Sequence, residues 1–210
     1  MQLQVALDRI DLERAVRLAD QVRAHADWIE VGTSLIKRYG MRSVSEVVGA
    51  AAGTPVLADL KTADDAATEF GMAFDHGARA ATVLAATTDA TVHRCVELAR
   101  DAGAEAVLDL LAVSGRRRDE LLRDLPAEVV FAPHIGKDAQ QVGHAAADAL
   151  GEWTRGRRIA LAGGLTRDDV TRLRGSNPGL RVIVGSAITA AADPAGAAAD
   201  MSTVVRGESG

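Results

Sequence analysis

Short apolar runs alternate with longer amphipathic stretches along almost the whole chain. The short runs contain about five residues each, are rich in Val, Ile and Leu, and are apolar on both alternating faces. This pattern is typical of strands that are covered on both sides in a parallel sheet. The eight runs are Leu3–Leu7, Trp28–Val31, Val56–Leu60, Ala80–Leu84, Ala106–Leu110, Val129–Ala132, Ile159–Ala162 and Arg181–Val184.

Segments of helix-forming residues lie between these runs and after the last one. In the first segment, Leu12, Ala15, Ala19 and Val22 recur at helical spacing. Thr166, followed three residues later by Asp169, predicts a helix N-cap. The eight predicted helices are Asp11–Arg23, Ser43–Ala52, Ala63–His76, Ala90–Ala102, Arg116–Arg123, Asp138–Leu150, Arg167–Arg174 and Ala195–Val205.

Strict alternation of strand and helix predicts an α/β fold with a parallel sheet and right-handed crossovers. Eight units of about 26 residues each fit a (β/α)8 TIM barrel, a single compact domain over residues 1–205 with a frayed tail at 206–210. The alternative is an open doubly wound sheet, whose dinucleotide-binding form carries G-x-G-x-x-G after its first strand. Here the first strand is followed by Asp8 and Arg9 without a glycine, so the barrel is preferred.

The amino-acid composition of the chain argues against several functional classes of protein. The net charge is −5 and aromatic residues make up 3% of the chain, which argues against a nucleic-acid binder. A single cysteine cannot form an internal disulfide and fits a reducing compartment. Met1–Asp8 lacks the basic flank and apolar run of a signal peptide, and no apolar stretch approaches the roughly 18 residues of a membrane span. We therefore expect a soluble cytoplasmic protein that binds neither nucleic acid nor membrane.

Polar and glycine residues follow most of the predicted strands, where a barrel places its reacting groups. They are Asp8, Glu30, Gly32, Thr33, Asp59, Lys61, Asp109, His134, Gly163, Gly164, Gly185 and Ser186. Any one of them alone is explained equally well as a helix cap or a surface charge. Together, the carboxylates converge on one end of the barrel and need a counter-charge, for which Lys61 and a divalent cation are the candidates.

The most specific stretch is Asp59-Leu60-Lys61-Thr62-Ala63-Asp64. Asp59 and Lys61 lie two residues apart at a strand end, so their side chains point to the same side, and Asp64 begins the next predicted helix. An acid, a base and a second acid suit the stabilisation of an enolate or carbanion. The alternative is a surface salt-bridge cluster.

The pairs Gly163-Gly164 and Gly185-Ser186 follow strands seven and eight, where barrels bind phosphate, although each could be a tight turn.

The motif Asp59-x-Lys61-x-x-Asp64 resembles the signature of the orotidine 5′-monophosphate decarboxylase superfamily. Within it, the chain resembles the 3-hexulose-6-phosphate synthase family over residues 1–205. The matching pieces are Leu3-Gln4-Val5-Ala6-Leu7-Asp8, Ile29-Glu30-Val31-Gly32-Thr33, Val56-Leu57-Ala58-Asp59-Leu60-Lys61-Thr62, Thr82-Val83-Leu84, His134-Ile135-Gly136-Lys137-Asp138-Ala139-Gln140, Ile159-Ala160-Leu161-Ala162-Gly163-Gly164 and Val184-Gly185-Ser186-Ala187-Ile188-Thr189.

The resemblance implies a Mg²⁺-dependent aldol reaction of formaldehyde with D-ribulose 5-phosphate through an enediolate. It implies that Glu30 and Asp59 bind Mg²⁺, and that Lys61, Asp64 and His134 are catalytic, with His134 transferring protons. It also implies a homodimer in which Asp64 reaches the site of the partner subunit. The substrate-binding residues are expected to be Asp8, Thr33, Asp109, Gly163, Gly164, Gly185 and Ser186.

Two alternatives stay open. The related 3-keto-L-gulonate 6-phosphate decarboxylases carry arginines after the histidine and after the glycine of the last strand. His134-Ile135-Gly136 and Gly185-Ser186 are closer to the synthase pattern, whereas Lys137 stands where the decarboxylase has an arginine. A non-catalytic barrel that binds a sugar phosphate is the second alternative. Such a protein would need the phosphate loops but no acid–base set, so the joint presence of that set argues against it; its members are Glu30, Asp59, Lys61, Asp64 and His134.

Overall fold

The computed structural model describes residues 1–134 and 150–208. Eight parallel strands form a closed barrel in chain order, and the last strand pairs with the first. The strands are β1 (Gln2–Leu7), β2 (Trp28–Val31), β3 (Val56–Thr62), β4 (Ala80–Leu84), β5 (Glu105–Asp109), β6 (Val130–Ala132), β7 (Arg158–Leu161) and β8 (Leu180–Val184). The predicted (β/α)8 barrel is confirmed, and each of the eight apolar runs overlaps a strand.

Helices surround the barrel and connect its strands. In the described part of the chain they are α1 (Leu12–Val22), α2 (Thr33–Tyr39), α3 (Arg42–Ala51), α4 (Ala66–Asp75), α5 (Asp89–Asp101), α6 (Gly115–Asp124), a 3₁₀ turn (Glu152–Thr154), α7 (Arg167–Leu173), α8 (Ser186–Thr189) and α9 (Pro194–Arg206). None of the helices in residues 1–134 and 150–208 combines the length and apolarity needed to span a membrane.

Most predicted helices agree with the structure to within a residue or two. The predicted N-cap at Thr166 is confirmed as a reciprocal capping box, in which the Thr166 N–H donates to the Asp169 carboxylate at 2.9 Å. The helix predicted over Ala63–His76 begins only at Ala66, because Asp65 has a left-handed φ of 49°. Most of the predicted helix Asp138–Leu150 lies outside the described residues. The short helices α2 and α8 and the 3₁₀ turn were not predicted.

Successive side chains along each strand point alternately to the lumen and to the surrounding helices. On β1, Leu3, Val5 and Leu7 pack into the layer between barrel and helices, whereas Gln4 and Ala6 face the lumen. A smaller apolar layer fills part of the lumen, and it consists of Trp28, Leu57, Ala80, Val107, Val130, Ala132 and Ala160 with Ile183 beside it. The rest of the lumen, towards the carboxyl ends of the strands, is left for polar side chains.

Candidate active site

A cavity of about 540 Å³ opens at the carboxyl ends of the strands. Nearly all the predicted site residues line it, namely Asp8, Glu30, Thr33, Asp59, Lys61, Asp109, His134, Gly163, Gly164, Gly185 and Ser186. We call five of these, Glu30, Asp59, Lys61, Asp109 and His134, the mouth cluster. The sequence therefore predicted which residues meet at this end of the barrel, and Asp64 is the one that the structure does not bring there.

Lys61 lies at the centre of the mouth cluster. Its Nζ donates to Asp59 Oδ1 at 3.1 Å and to Asp109 Oδ2 at 2.5 Å, so the ammonium group bridges two strands. Burial favours loss of its proton, but the two carboxylates outweigh that effect and raise the pKa of Lys61. Lys61 therefore carries its positive charge throughout the physiological range of pH.

The backbone at Lys61 is unusual. Its φ is +51°, and the pairing of β3 with β4 shifts register between Ala58 and Thr62. The Lys61 N–H leaves the regular ladder and donates to Thr82 Oγ1 at 2.8 Å. A left-handed φ costs free energy at a residue with a side chain and is often found at functional sites. Here it accompanies an irregular strand end that brings Nζ between two acids.

Asp59 is held by both of its carboxylate oxygens. Thr33 Oγ1 donates to Oδ2 at 2.6 Å and Thr82 Oγ1 donates to Oδ1 at 2.8 Å, while Lys61 donates to the same carboxylate. The residue is 8% exposed. Donors from β4 and from the start of α2 thus fix the orientation of an acid on β3.

Asp109 connects Lys61 to His134. Its Oδ2 accepts from Lys61 and faces His134 Nδ1 at 3.3 Å, while its Oδ1 accepts from the Leu111 N–H at 2.8 Å. Burial acts to raise the pKa of Asp109, but hydrogen bonds and charge from His134 and Lys61 lower it to about 2. Because the ionised carboxylate only accepts, the hydrogen of His134 lies on Nδ1, and in the neutral ring Nε2 keeps its lone pair.

Glu30 is the acid of the mouth cluster whose ionisation is most disfavoured. Burial and the charge of Asp59 raise the pKa of Glu30 to about 8, although the Gln4 amide and Lys61 act in the opposite direction. A buried carboxyl group whose ionisation is opposed by burial and by a neighbouring carboxylate favours a bound cation. Mg²⁺ takes one or two carboxylates and completes its shell with water and substrate oxygens. The two carboxylates fit such an open site, and within the described residues no three or more His, Cys, Asp or Glu side chains are arranged to hold a metal ion on their own.

Asp8 has a structural contact that was not predicted from the sequence. Its Oδ1 accepts from the backbone N–H groups of Ser34 and Leu35, at 3.1 and 3.3 Å, and so stabilises the beginning of α2. A Cβ on Gly32 would lie 2.4 Å from the Asp8 side chain, so glycine is required there. Asp8 therefore combines a helix-capping contact with a position on the cavity wall.

The glycine pairs lie on the same side of the cavity. Gly163 and Gly164, between β7 and α7, have φ values of 142° and 71°, which side chains rarely adopt. Gly185 precedes α8, which begins at Ser186. With no side chains on these glycines, backbone N–H groups can approach a bound ligand closely.

Asp64 stands apart from the mouth cluster. It is exposed and does not line the cavity, and its Oδ1 accepts from the Asp65 N–H at 2.8 Å. Lys137, the residue that departs from the synthase pattern, lies outside the described residues, as does Gly136.

Four residues that line the cavity were not predicted from the sequence, namely Gln4, Thr82, Arg9 and Arg14. Gln4 and Thr82 each interrupt an apolar strand with a polar side chain on the lumen face, and that interruption was an available signal. Arg9 and Arg14 precede or begin a helix, and their sequence context gives no comparable signal.

Residues 1–201 match the model of the orotidine 5′-phosphate decarboxylase / HUMPS family. The chain belongs to this family. The match covers the whole barrel, and the resemblance inferred from the motifs is confirmed.

Relatives within the family are similar over their full lengths. 3-Hexulose-6-phosphate synthase 2 of Staphylococcus saprophyticus is 34% identical over 98% of this chain and 97% of its own. The crystal structure of 3-hexulose-6-phosphate synthase from Salmonella typhimurium is 34% identical, with a TM-score of 0.88 and complete coverage of both chains. The 3-keto-L-gulonate-6-phosphate decarboxylase from Vibrio cholerae is 26% identical, with a TM-score of 0.83 over 100% and 99% of the two chains.

Proposed function

We propose that this protein is a 3-hexulose-6-phosphate synthase, a lyase that joins formaldehyde to D-ribulose 5-phosphate in a reversible aldol reaction. The observation that carries the proposal is the mouth cluster, in which one ammonium group, one histidine and three carboxylates meet in a single cavity. The full-length similarity to synthases supports the choice of substrates. A protein that only bound a sugar phosphate would have no use for this acid–base set.

His134 is the proposed base. Its Nδ1 faces Asp109, which holds the ring and leaves Nε2 to take the C1 proton of ribulose 5-phosphate. The electron pair left behind forms the new bond from C1 to the carbon of formaldehyde, and the C=O π electrons move to the formaldehyde oxygen. His134 then returns the proton to that oxygen, so the product is a hexulose 6-phosphate and no atom is lost.

Lys61 stabilises the negative charge that develops on the sugar when C1 loses its proton. Its ammonium group is already fixed between Asp59 and Asp109, so little reorganisation is needed during the reaction. We assign Mg²⁺ to Glu30 and Asp59, where the ion would supply further stabilisation of negative charge on the sugar oxygens. The raised pKa of Glu30 beside Asp59 supports this assignment, because a cation would remove the repulsion.

The remaining wall residues are proposed to hold the substrate. Gly163, Gly164, Gly185 and Ser186 are the proposed phosphate contacts, in keeping with the phosphate sites of other barrels after strands seven and eight. Asp8 and Thr33 are proposed to bind sugar hydroxyls. Asp8 would use mainly Oδ2, whose one contact among the described residues is with the Ser34 hydroxyl at 3.4 Å.

We further propose a cytoplasmic homodimer in which Asp64 enters the site of the partner subunit. The exposed position of Asp64, away from its own mouth cluster, supports this arrangement. The single cysteine, which is buried, means that the fold needs no oxidising compartment. If the site is shared, inactive Asp64→Asn and Lys61→Met variants will regain part of their activity when mixed and allowed to exchange subunits. Verified exchange without recovery would show that each site uses its own residues alone.

A side-by-side assay tests the proposed reaction. Purified protein with Mg²⁺ is given either ribulose 5-phosphate and formaldehyde or 3-keto-L-gulonate 6-phosphate, and products are followed by NMR. We expect a hexulose 6-phosphate from the first pair and little or no CO₂ release from the second substrate. Decarboxylation alone would assign the protein to the decarboxylase branch, and binding of ribulose 5-phosphate without turnover would identify a non-catalytic barrel.

A further inference from the structure

Gln4 connects the mouth cluster to a second group of buried and partly buried side chains deeper in the lumen. That group, which we call the floor cluster, consists of Trp28, Glu105, Arg158 and Arg181, each the first or second residue of its strand. Gln4 itself is fully buried. The strand register places Ala6 beside Glu30, Gln4 beside Ile183, and Gln2 beside Arg181. Arg181, Gln4 and Glu30 therefore occupy successive levels of the lumen.

Hydrogen-bonding chemistry fixes the orientation of the Gln4 amide. Arg181 Nη1 approaches Gln4 Oε1 at 3.3 Å, and Gln4 Nε2 lies 2.5 Å from Glu30 Oε2. A guanidinium group can only donate, so the side of the amide that faces it must be the carbonyl oxygen. The NH₂ group must then face Glu30, where it donates to the carboxylate.

Arg181 is itself held in place. Its Nη2 donates to Glu105 Oε2 at 2.7 Å, its guanidinium carbon lies 4.1 Å from the centre of the Trp28 ring, and the residue is 2% exposed. Glu105 also forms an ion pair with Arg158. Arg181 is thus buried, hydrogen-bonded and stacked, so it holds the Gln4 amide in a fixed position facing Glu30.

We propose that Gln4, anchored by Arg181, is a positioning residue that fixes the Glu30 carboxylate for a divalent cation. The inference rests on the proposed function, since it takes Glu30 to be a metal ligand. The Gln4 amide donates to Oε2 of Glu30, whereas Oε1 of Glu30 has no hydrogen bond among the described residues. One oxygen of the Glu30 carboxylate is therefore anchored, and the other is available to a cation. Groups that orient metal-binding side chains in this way typically contribute 10- to 100-fold to metal affinity.

The test uses Mn²⁺ as the probe and the metal-free protein. Gln4→Met keeps the length of the side chain and removes both hydrogen bonds, while Gln2→Met, at the exposed beginning of the same strand, is the matched control. Mn²⁺ affinity is measured by electron paramagnetic resonance and thermal unfolding is measured without metal. We expect Gln4→Met to weaken Mn²⁺ binding by about 10-fold or more and Gln2→Met to leave it unchanged.

The possible outcomes separate this inference from the function on which it rests. Unchanged Mn²⁺ affinity in Gln4→Met would overturn the role of Gln4 and leave the proposed reaction standing. A lower unfolding temperature with wild-type Mn²⁺ affinity would also overturn it, since that is the effect of packing alone. If Gln4→Met does not fold, Gln4→Asn replaces it, since its amide is one methylene too short to reach Glu30. Gln4→Asn must then show the weaker binding of Mn²⁺. Failure of the wild-type protein to bind Mn²⁺ would contradict the proposed metal site itself.

Discussion

The floor and the mouth of the barrel both bury charged side chains, but they balance them differently. In the floor cluster, Glu105 uses one oxygen for Arg158 and the other for Arg181, so its carboxylate is fully paired. In the mouth cluster, Lys61 donates to Asp59 and Asp109, and Asp109 also faces His134. Glu30 forms no ion pair among the described residues, and its hydrogen-bond donor is the Gln4 amide.

Within the mouth cluster, the shortage of positive charge affects the ionisation of the acids. Glu30 has a raised pKa of about 8, whereas Asp109, which has two partners, has a lowered pKa of about 2. The floor cluster is closed by its own ion pairs and by Trp28, while the mouth cluster opens on a cavity of about 540 Å³. An excess of acid is thus confined to the end of the barrel where a cation and a substrate can enter.

The largest expected effect comes from Asp59→Asn. This change removes a proposed metal ligand and an anchor of Lys61 while keeping the size of the side chain. We expect the steady-state rate to fall by at least about 10³-fold. Asp200→Asn, at an exposed acid on α9, is the control and should keep wild-type activity. An Asp59→Asn variant that retains ordinary activity and its need for Mg²⁺ would refute the assignment.

Lys61→Met should separate binding from catalysis. Because the ammonium charge is needed mainly as negative charge develops on the sugar, we expect kcat to fall by about 10²- to 10³-fold with a small change in KM. The control is Lys37→Met, at an exposed lysine on α2. Initial rates over a range of ribulose 5-phosphate concentrations provide both constants, and equal losses in binding and rate would indicate an anchoring role.

The pH dependence of the free energy of unfolding tests whether the mouth cluster holds more carboxyl groups than its positive charges can balance, and it needs no assay of activity. Glu30 has a folded pKa of about 8, above its ordinary value of 4.5, so the folded protein binds the extra proton between these limits. In EDTA, this group should therefore lower the free energy of unfolding as pH rises from about 5 to 8, with a slope of up to about 1.4 kcal/mol per pH unit.

Denaturant unfolding at a series of pH values measures this slope, and Glu30→Gln should remove it. Asp109 acts with the opposite sign, since its stabilising contribution is present above its ordinary pKa and is lost as pH falls towards about 2. Identical profiles for the wild-type protein and Glu30→Gln would show that Glu30 ionises normally in the fold.

The smallest effect is expected at the outer edge of the floor cluster. Arg158 is 40% exposed and shares Glu105 with the better-buried Arg181, so Arg158→Gln should cost less than about 1 kcal/mol of stability. Thermal unfolding and kcat together check this, and kcat should be unchanged. A large loss of activity would show that the floor cluster depends on both arginines.

The sequence predicted the barrel well because parallel strands buried on both faces are near-continuous apolar runs. It predicted the mouth cluster because strand ends of a barrel converge whatever connects them. The left-handed φ at Lys61, the capping contact of Asp8 and the unpredicted helix α2 follow from tertiary packing that no local pattern encodes. Gln4 was overlooked because its significance depends on Arg181, which lies 177 positions away in the chain.

The most direct test of the central claim is exchange of the C1 proton of ribulose 5-phosphate with D₂O, followed by NMR without formaldehyde. If the mouth cluster stabilises the carbanion-like state, exchange will be rapid with Mg²⁺, will stop in EDTA, and will be slow in His134→Asn even with the metal. Absence of exchange in the wild-type protein with Mg²⁺, or exchange that ignores both EDTA and the loss of His134, would contradict the account.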